Sequence, residues 1–490
     1  MPLQTTLSDF LRAIPNPFAK SNPDLIVLRT MLTFGEDKAN VMFDLAGYGK
    51  ISEQGRRTWR LALNEIGVSE HLSPDQAHDM SVLSLPLQLQ EGLKAGVSLM
   101  DPAVQLPLWL DLVRPYGFLG ILPWERVLSE LLVRPVFRLP DFLARPRENT
   151  DVLEAAILFD PPPSIAPDSA VDQLKLIVSE LLAGSPRVQT RIHVFASAPC
   201  AKVLANPSVK LDKRVNVHTA NESTRAAAER SNFVSPWFDW ICAALEGRSL
   251  DAVHFVCRTR ATESSAVLLL SRSPHDTEAQ TLAAIEIADV GAALARVGAW
   301  TAMFSPPAGD IDDGAMAFVA DTLAQSRPGS VLFHLARPDC AHDLRETFRF
   351  LFSPEPAHPP KLANGFLYCQ PESVAAHAGF HPAIASSVLP AESPELARQA
   401  SWVDRARAKA GVYIPAIGLD LKQAPDWASA AQRYVESASL DQLRRVSTDV
   451  LFSKPTAALD QVEAAAQSQT VQKTLSDIQN IVGDYLKRSQ

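Results

Sequence analysis

The sequence predicts an α/β protein: a mainly parallel sheet flanked by helices, preceded by a β-containing N-terminal region and followed by a helical C-terminal region. Three observations carry this. Between about Asp151 and His358, short apolar runs alternate with helical patterns of about 10–15 residues, the pattern of crossover units that join parallel strands. The chain has 490 residues, more than one hydrophobic core usually supports, so two or three domains are expected. With 47% hydrophobic and 21% charged residues, it can bury substantial cores and is not disordered overall.

The first zone covers residues 1–147. Leu25–Phe34 and Ala39–Ala46 are β-rich, and Gly35-Glu36-Asp37-Lys38 supplies a short turn, so a hairpin is expected there. Leu106–Leu110 follows as an apolar run. Tyr116–Leu122 reads as a strand broken by Pro123, and Trp124-Glu125-Arg126-Val127-Leu128 opens a helix with Glu125 near its positive end. Val136–Leu139 is a short strand ended by Pro140, and Arg145–Asn149 is a polar boundary.

The second zone covers residues 148–358. Strands are expected at Ala155–Phe159, Arg191–Ala196, Ala252–Val256, Ala266–Leu270, Trp300–Phe304 and Ser330–Leu335. Helices are expected at Asp168–Leu182, with Val171, Leu174, Ile177 or Val178, and Leu181 on one face, and around Trp237, Trp240 and Leu245. Further helices are expected at Ile285–Leu294, Asp312–Gln325 and Ala341–Phe352. The third zone, residues 359–490, is loop-rich over Ala363–Pro394 and helical from Glu395. Within Ala457–Arg488, Leu475, Ile478, Val482 and Tyr485 form one helical stripe that docks on its own domain or pairs with another chain. A linker of the Ser353–Pro360 kind, rich in proline, precedes it.

Charge and cysteine usage narrow the function classes. The 46 basic against 55 acidic residues give a net charge of −9, and no run of Lys or Arg offers a local exception, so neither nucleic acid nor membrane is an expected partner. The five cysteines are odd in number, widely spaced and never in a Cys-x-x-Cys pair, which suits a reducing compartment. With no charged start leading into a long apolar run, no signal peptide is expected, and the cytoplasm is the default location. Gly-rich phosphate loops are absent, which weakens any nucleotide-binding reading.

Chemistry-bearing residues gather at two strand tips. Asp251–Thr259 carries His254 and ends in Cys257-Arg258-Thr259; Ala299–Ala308 runs from a strand into the turn Ser305-Pro306-Pro307. His254 and Cys257 are three residues apart and on a strand face opposite ways, so His254 is expected to be a satisfied core histidine, with a displaced base paired to Cys257 as the lesser alternative. Cys340, His342 and Asp343 lie close together after the last strand, where a thiol–imidazole pair or a metal could be held. A helix N-terminus there would lower the thiol's pKa, but Asp339 reads simply as a helix N-cap, and that plainer reading is the one expected. Asp310, Asp312 and Asp313 either start a helix favourably or present an acidic face to a basic partner.

These motifs, in this order, resemble the CHAT family, caspase-fold proteins of the clan that contains separase. Leu122–Leu128 matches that family's leucine-proline-tryptophan-glutamate-then-leucine segment. Val253-His254-Phe255-Val256 matches the start of its base motif, with Cys257-Arg258-Thr259 standing where the family carries Gly-His-Gly. Val267–Leu270 matches the next strand, and Trp300–Gly309 matches the nucleophile strand in position but lacks the cysteine. Ala315–Leu323 and Gly329–Val331 match the helix and strand that follow. The resemblance spans about half the chain.

What the resemblance implies is a caspase-like fold without caspase-like chemistry. Cysteine proteolysis needs a thiolate and an imidazole beside it. Arginine at Arg258 cannot accept a proton, Ser305 is the only hydroxyl at the nucleophile turn, and Pro306-Pro307 removes two backbone donors from the place where an oxyanion hole would form. The expected protein is therefore a pseudoprotease: a bacterial scaffold, sensor or regulator in a multi-protein signalling or anti-phage defence system. Other proteins of that system, including an active effector, are the expected partners, with self-association through 457–488 a further expectation. A groove lined by His254, Arg258, Thr259, Ser305 and Asp310 would receive the partner, with no cofactor and no metal. The alternative is an enzyme with rearranged residues, using Cys257, Cys340 or Ser305.

Overall fold

The computed structural model describes residues 24–34, 39–48, 51, 55–69, 72–78, 82–114, 116–140, 151–185, 187–220, 235–246, 248–261, 266–275, 282–309, 313–327, 329–354 and 357–371. The expectations for Arg145–Asn149, Asp310, Asp312, the helices from Glu395 and the stripe at 457–488 lie outside these residues.

The described strands are, in chain order, β1 (Leu25–Phe34), β2 (Ala39–Tyr48), β3 (Arg57–Ala62), β4 (Leu108–Val113), β5 (Val136–Arg138), β6 (Val152–Asp160), β7 (Gln189–Ala196), β8 (Val215–His218), β9 (Ala252–Ala261), β10 (Ala266–Ser271), β11 (Leu282–Glu286), β12 (Thr301–Phe304), β13 (Val331–His334) and β14 (Gly365–Tyr368). They form one 14-stranded sheet in the order β3-β2-β1-β4-β5-β14-β13-β12-β9-β6-β7-β8, with the β10–β11 hairpin continuing from the far end of β9. The run β13-β12-β9-β6-β7-β8 is parallel throughout, as are β1-β4-β5-β14. Antiparallel pairs are confined to β1-β2-β3, β13-β14 and β9-β10-β11.

Helices cover both faces, as an apolar parallel sheet requires. The described α-helices are α1 (Pro74–His78), α2 (Leu87–Met100), α3 (Trp124–Leu132), α4 (Pro167–Gly184), α5 (Ala198–Leu204), α6 (Pro236–Ala244), α7 (Ile287–Arg296), α8 (Asp313–Ala324) and α9 (Ala341–Phe352). One core packs Val253 and Phe255 of β9 and Phe304 of β12 with Trp124, Trp237, Val290 and Met316 from α3, α6, α7 and α8. The other packs Ala252 and Val256 of β9 and Met303 of β12 with Leu174, Cys200, Leu344 and Phe348 from α4, α5 and α9. Successive residues of β9 thus alternate between the two cores, as the period of a strand dictates. On α4, Pro167 sits in the first turn and Val171, Leu174, Ile177, Val178 and Leu181 are buried, each contributing about 1.5–3 kcal/mol by leaving water.

The two halves of the sheet meet between β5 and β14 through a single register pair, Arg138 opposite Tyr368. Side chains carry the junction. Arg138 is fully buried and donates through Nε and Nη2 to the two oxygens of Glu125 at 2.6 and 2.9 Å. Its Nη1 donates to the Gly120 carbonyl and reaches Asp321 of α8 at 3.5 Å, while the guanidinium lies 3.9 Å over the Phe366 ring. Asp321 accepts from Tyr368 Oη at 2.5 Å, Tyr116 Oη at 3.2 Å and Gln325 Nε2 at 2.7 Å. Burial raises the Asp321 carboxyl above its ordinary range against the opposing pull of Arg138 and these donors.

The structure departs from sequence expectation at several elements. Tyr116–Leu122 is not a strand: Gly117–Ile121 winds as a 3₁₀ turn, with Gly117 at φ +52°, and any side chain at Gly120 would strike the Asp321 carboxylate and the Tyr116 ring. Within the expected loop-rich segment after Ala363, β14 fills the slot between β13 and β5. Residues 282–286, in part expected as helix, form a strand before α7 begins. β3, β8, α2 and α5 had no clear sequence signal; β3 is largely exposed and β8 is a short edge strand, so neither shows a strong apolar alternation.

Candidate functional site

The carboxyl ends of β6, β9, β12 and β13 bring together most of the residues singled out from sequence. Open α/β sheets place their ligand sites at such ends. His254 lies between Ile157 of β6 and Met303 of β12, and by strand alternation it faces the core beneath α4 and α9. Ser305 directly follows β12, and its N–H donates to the Phe255 carbonyl at 3.0 Å, which holds the residue beside β9. The Ser305 hydroxyl and His254 Nε2 share a hydrogen bond of 2.9 Å. His334 ends β13, next to Phe333, which is in register with Phe304.

All three side chains are buried: Ser305 is 0%, His254 1% and His334 1% exposed. His254 Nδ1 and both ring nitrogens of His334 have no hydrogen-bond partner. Burial, with the His334 ring beside it, pulls the His254 imidazole down to about 3, and burial pulls His334 down to about 4. Both rings are therefore neutral at pH 7, and His254 is a feeble base with nothing on its second nitrogen to orient it.

Backbone donors around Ser305 are equally spoken for. The Ser305 N–H is bonded to Phe255, Pro306 and Pro307 have none, and the Ala308 N–H donates to Gln173 Oε1 at 2.8 Å. Gln173, buried on α4, also donates from Nε2 to the Pro306 carbonyl at 2.9 Å and so braces the turn from both sides. From Ser305 to Ala308 no N–H remains to receive an oxyanion. Sequence reasoning missed Gln173, whose partners lie 133 and 135 residues further on; its place on the buried side of an amphipathic helix was the one available hint.

The remaining sequence candidates are placed as follows. Cys257 is fully buried in register with Asp160 and faces the opposite core from His254. Arg258 is half-buried, opposite Leu269, and Thr259 is buried opposite Leu268 in the antiparallel extension of β9. Asp310, expected to line the same groove, is outside the described residues. Cys340 is buried 2% exposed in a 3₁₀ turn ahead of α9, and its thiol is pushed up to about 11 rather than down: burial dominates and Asp339 and Asp343 add negative charge. Among the described residues no group of three His, Cys, Asp or Glu side chains is arranged to hold a metal, and no helix is long and apolar enough to cross a membrane.

A second polar cluster sits beside this one. Asp160, at the end of β6 and fully buried, accepts at Oδ2 from the Ser271 N–H at 2.6 Å and the Ser271 hydroxyl at 3.0 Å. Burial pushes its carboxyl up to about 6, opposed by Ser271, Ser197 and the guanidinium of Arg258. Comparison with known proteins brings no relative: no family model matches the sequence, and no curated protein or solved structure matches it either.

Proposed function

We propose that this chain is a CHAT-like pseudoprotease, a non-catalytic scaffold, sensor or regulator that works with other proteins of a signalling or defence system. The observation that carries the reading is the state of the turn after β12. Its one hydroxyl is sealed from solvent, its backbone donors are absent or engaged, and the imidazole beside it has lost most of its basicity. The order of elements supports the family side of the proposal: β6-α4-β7, then β9 with its hairpin β10–β11, then β12 and β13, with the base-motif and nucleophile-motif tips on adjacent strands.

One observation favours a second reading. The 2.9 Å contact between Ser305 Oγ and His254 Nε2 has the form of a serine–base dyad. Against it stand the absence of any partner on His254 Nδ1 and the burial of both residues. A peptidase assay separates the two readings: the purified full chain is incubated with a mixture of peptides derived from whole-cell protein, and new termini are read by mass spectrometry. No cleavage above that of a Ser305→Ala variant supports the pseudoprotease. Cleavage by the parent chain that disappears in both Ser305→Ala and His254→Ala would establish the hydrolase instead.

A further inference from the structure

β3 closes one side of the sheet, and among the described residues no strand lies beyond it. At its end the Ala62 N–H is taken by Glu65 Oε2 at 2.6 Å rather than by β2. Peptide groups of an antiparallel strand turn toward and away from their partner in alternation, so Thr58 and Arg60 also present N–H and C=O outward. Two such residues offer four backbone hydrogen bonds to an extended segment laid alongside. The side chains here are basic: Arg56, Arg57 and Arg60 fall within five residues, with no acid among 56–61, in a chain of net charge −9. Arg56 donates through Nε and Nη2 to the Asp44 carboxylate at 3.4 and 3.3 Å, and Thr58 Oγ1 donates to it as well. Arg57 and Arg60 are exposed and make no ion pair or hydrogen bond with any described residue. Arg57, in register with Leu45, stands on the face of α2, where a Cβ at Gly96 would lie 3.7 Å from its Cδ. Arg60, in register with Met42, stands on the other face. Between them the half-buried Trp59 ring rests against Gly92. Charge along an edge deters strands of like charge and leaves the edge open to one of opposite charge.

We propose that the outer edge of β3 takes an extended acidic segment of a partner protein as a further strand, with carboxylates three residues apart meeting Arg57 on one face and Arg60 on the other. Odd spacing puts the two acids on opposite faces of the added strand, as it does the two arginines. A second copy of this chain is the poorer occupant, because two such edges would set arginine against arginine. β3 lies seven strands from β12, so this surface goes beyond the non-catalytic reading and does not depend on it.

Three peptides test this on the full chain: acetyl-Thr-Glu-Val-Thr-Glu-Val-Thr-amide, the same peptide with glutamine for both glutamates, and the first with proline for its central threonine. Proline keeps the charge and removes a backbone donor from the middle of the segment. Fluorescence anisotropy of the labelled peptides measures affinity, and hydrogen exchange reads protection of the Thr58 and Arg60 amides. The expected result is saturable binding of the glutamate peptide, at least about fivefold tighter than either control, with both amides slowed. In Arg57→Gln/Arg60→Gln, two exposed changes that leave the core untouched, the glutamate and glutamine peptides should bind alike. No saturation up to about 5 mM, equal binding of either control, unprotected Thr58 and Arg60 amides, or a preference that survives the double variant would overturn the proposal. Dimerisation of the parent chain that the double variant abolishes would also overturn it, by assigning the edge to a second copy. Failure here is distinct from failure of the pseudoprotease reading: peptide cleavage would remove that reading and leave this surface standing, whereas a bare β3 edge without cleavage would do the reverse.

Discussion

Replacing Arg138 by methionine tests what joins the two halves of the sheet. β5 and β14 share one register pair, so backbone bonding alone cannot hold them. Arg138→Met removes the 2.6 and 2.9 Å bonds to Glu125, the bond to the Gly120 carbonyl, the 3.5 Å contact with Asp321 and the stacking over Phe366. It leaves Glu125 and Asp321, 2% and 0% exposed, without a cation. Breaking a buried pair by deleting one partner costs about 3–5 kcal/mol, and methionine recovers some packing, so a loss of about 4 kcal/mol is expected at pH 8.

The loss also has a predicted pH dependence. Two buried acids without a counter-ion hold their protons more tightly folded than unfolded, and a folded pKa raised in this way contributes less stability as pH rises. The deficit is therefore largest at pH 8 and shrinks by at least about 1 kcal/mol at pH 5. Urea denaturation of parent and variant at both pH values measures this, and hydrogen exchange should place the loosening at β5 and β14. A deficit below about 1 kcal/mol, or one that does not change with pH, would mean that Arg138 does not hold the junction.

Three other perturbations follow from the same structure. His334 titrates at about 4 folded against an ordinary 6.5, so the unfolded chain binds a proton that the folded chain refuses. Stability from this group is complete above pH 6.5 and is lost as pH falls toward 4; His334→Leu should gain about 2 kcal/mol at pH 5 relative to its effect at pH 8, and an unchanged difference would contradict it. Val133, a β-branched residue at φ +57° capping α3 and 65% exposed, is strained there. Val133→Gly should raise stability by about 1 kcal/mol by urea midpoint, and a decrease would show the strain is absent. Gly365→Ala would drive a methyl into the Phe333 carbonyl across the β13–β14 pair. A loss of at least about 2 kcal/mol is expected in thermal unfolding, and a neutral result would mean the strands can part at no cost.

How much of this was legible depended on how far apart the cooperating residues lie. The stripe on Asp168–Leu182 announced α4, and the apolar runs around His254 and Met303 announced β9 and β12, because each signal sits within one element. β14 was hidden: four residues bounded by Asn364 and Cys369 are too few to show a period, and the strand exists because a slot between β13 and β5 exists. The Arg138 junction joins residues 13 and 183 positions apart, and the His254–Ser305 bond spans 51, so no local pattern records either. Ser305 stands out at its strand tip in the sequence, yet only the fold shows that it is sealed beneath α4. An activated Cys340 thiol at a helix end stood only as the alternative to a plain N-cap at Asp339; burial and two acidic neighbours push the thiol up instead.

The proposed reading is that Ser305 and His254 stand together at the strand tips without protease reactivity. Labelling the native full chain with a fluorophosphonate and with iodoacetamide, and mapping the modified residues by mass spectrometry, tests this most directly. Ser305, Cys257 and Cys340 are expected to stay unmodified over hours in native protein, while both thiols label fully once the chain is unfolded. Stoichiometric modification of native Ser305 that is lost in His254→Ala, or rapid labelling of Cys257 or Cys340 alone, would contradict it.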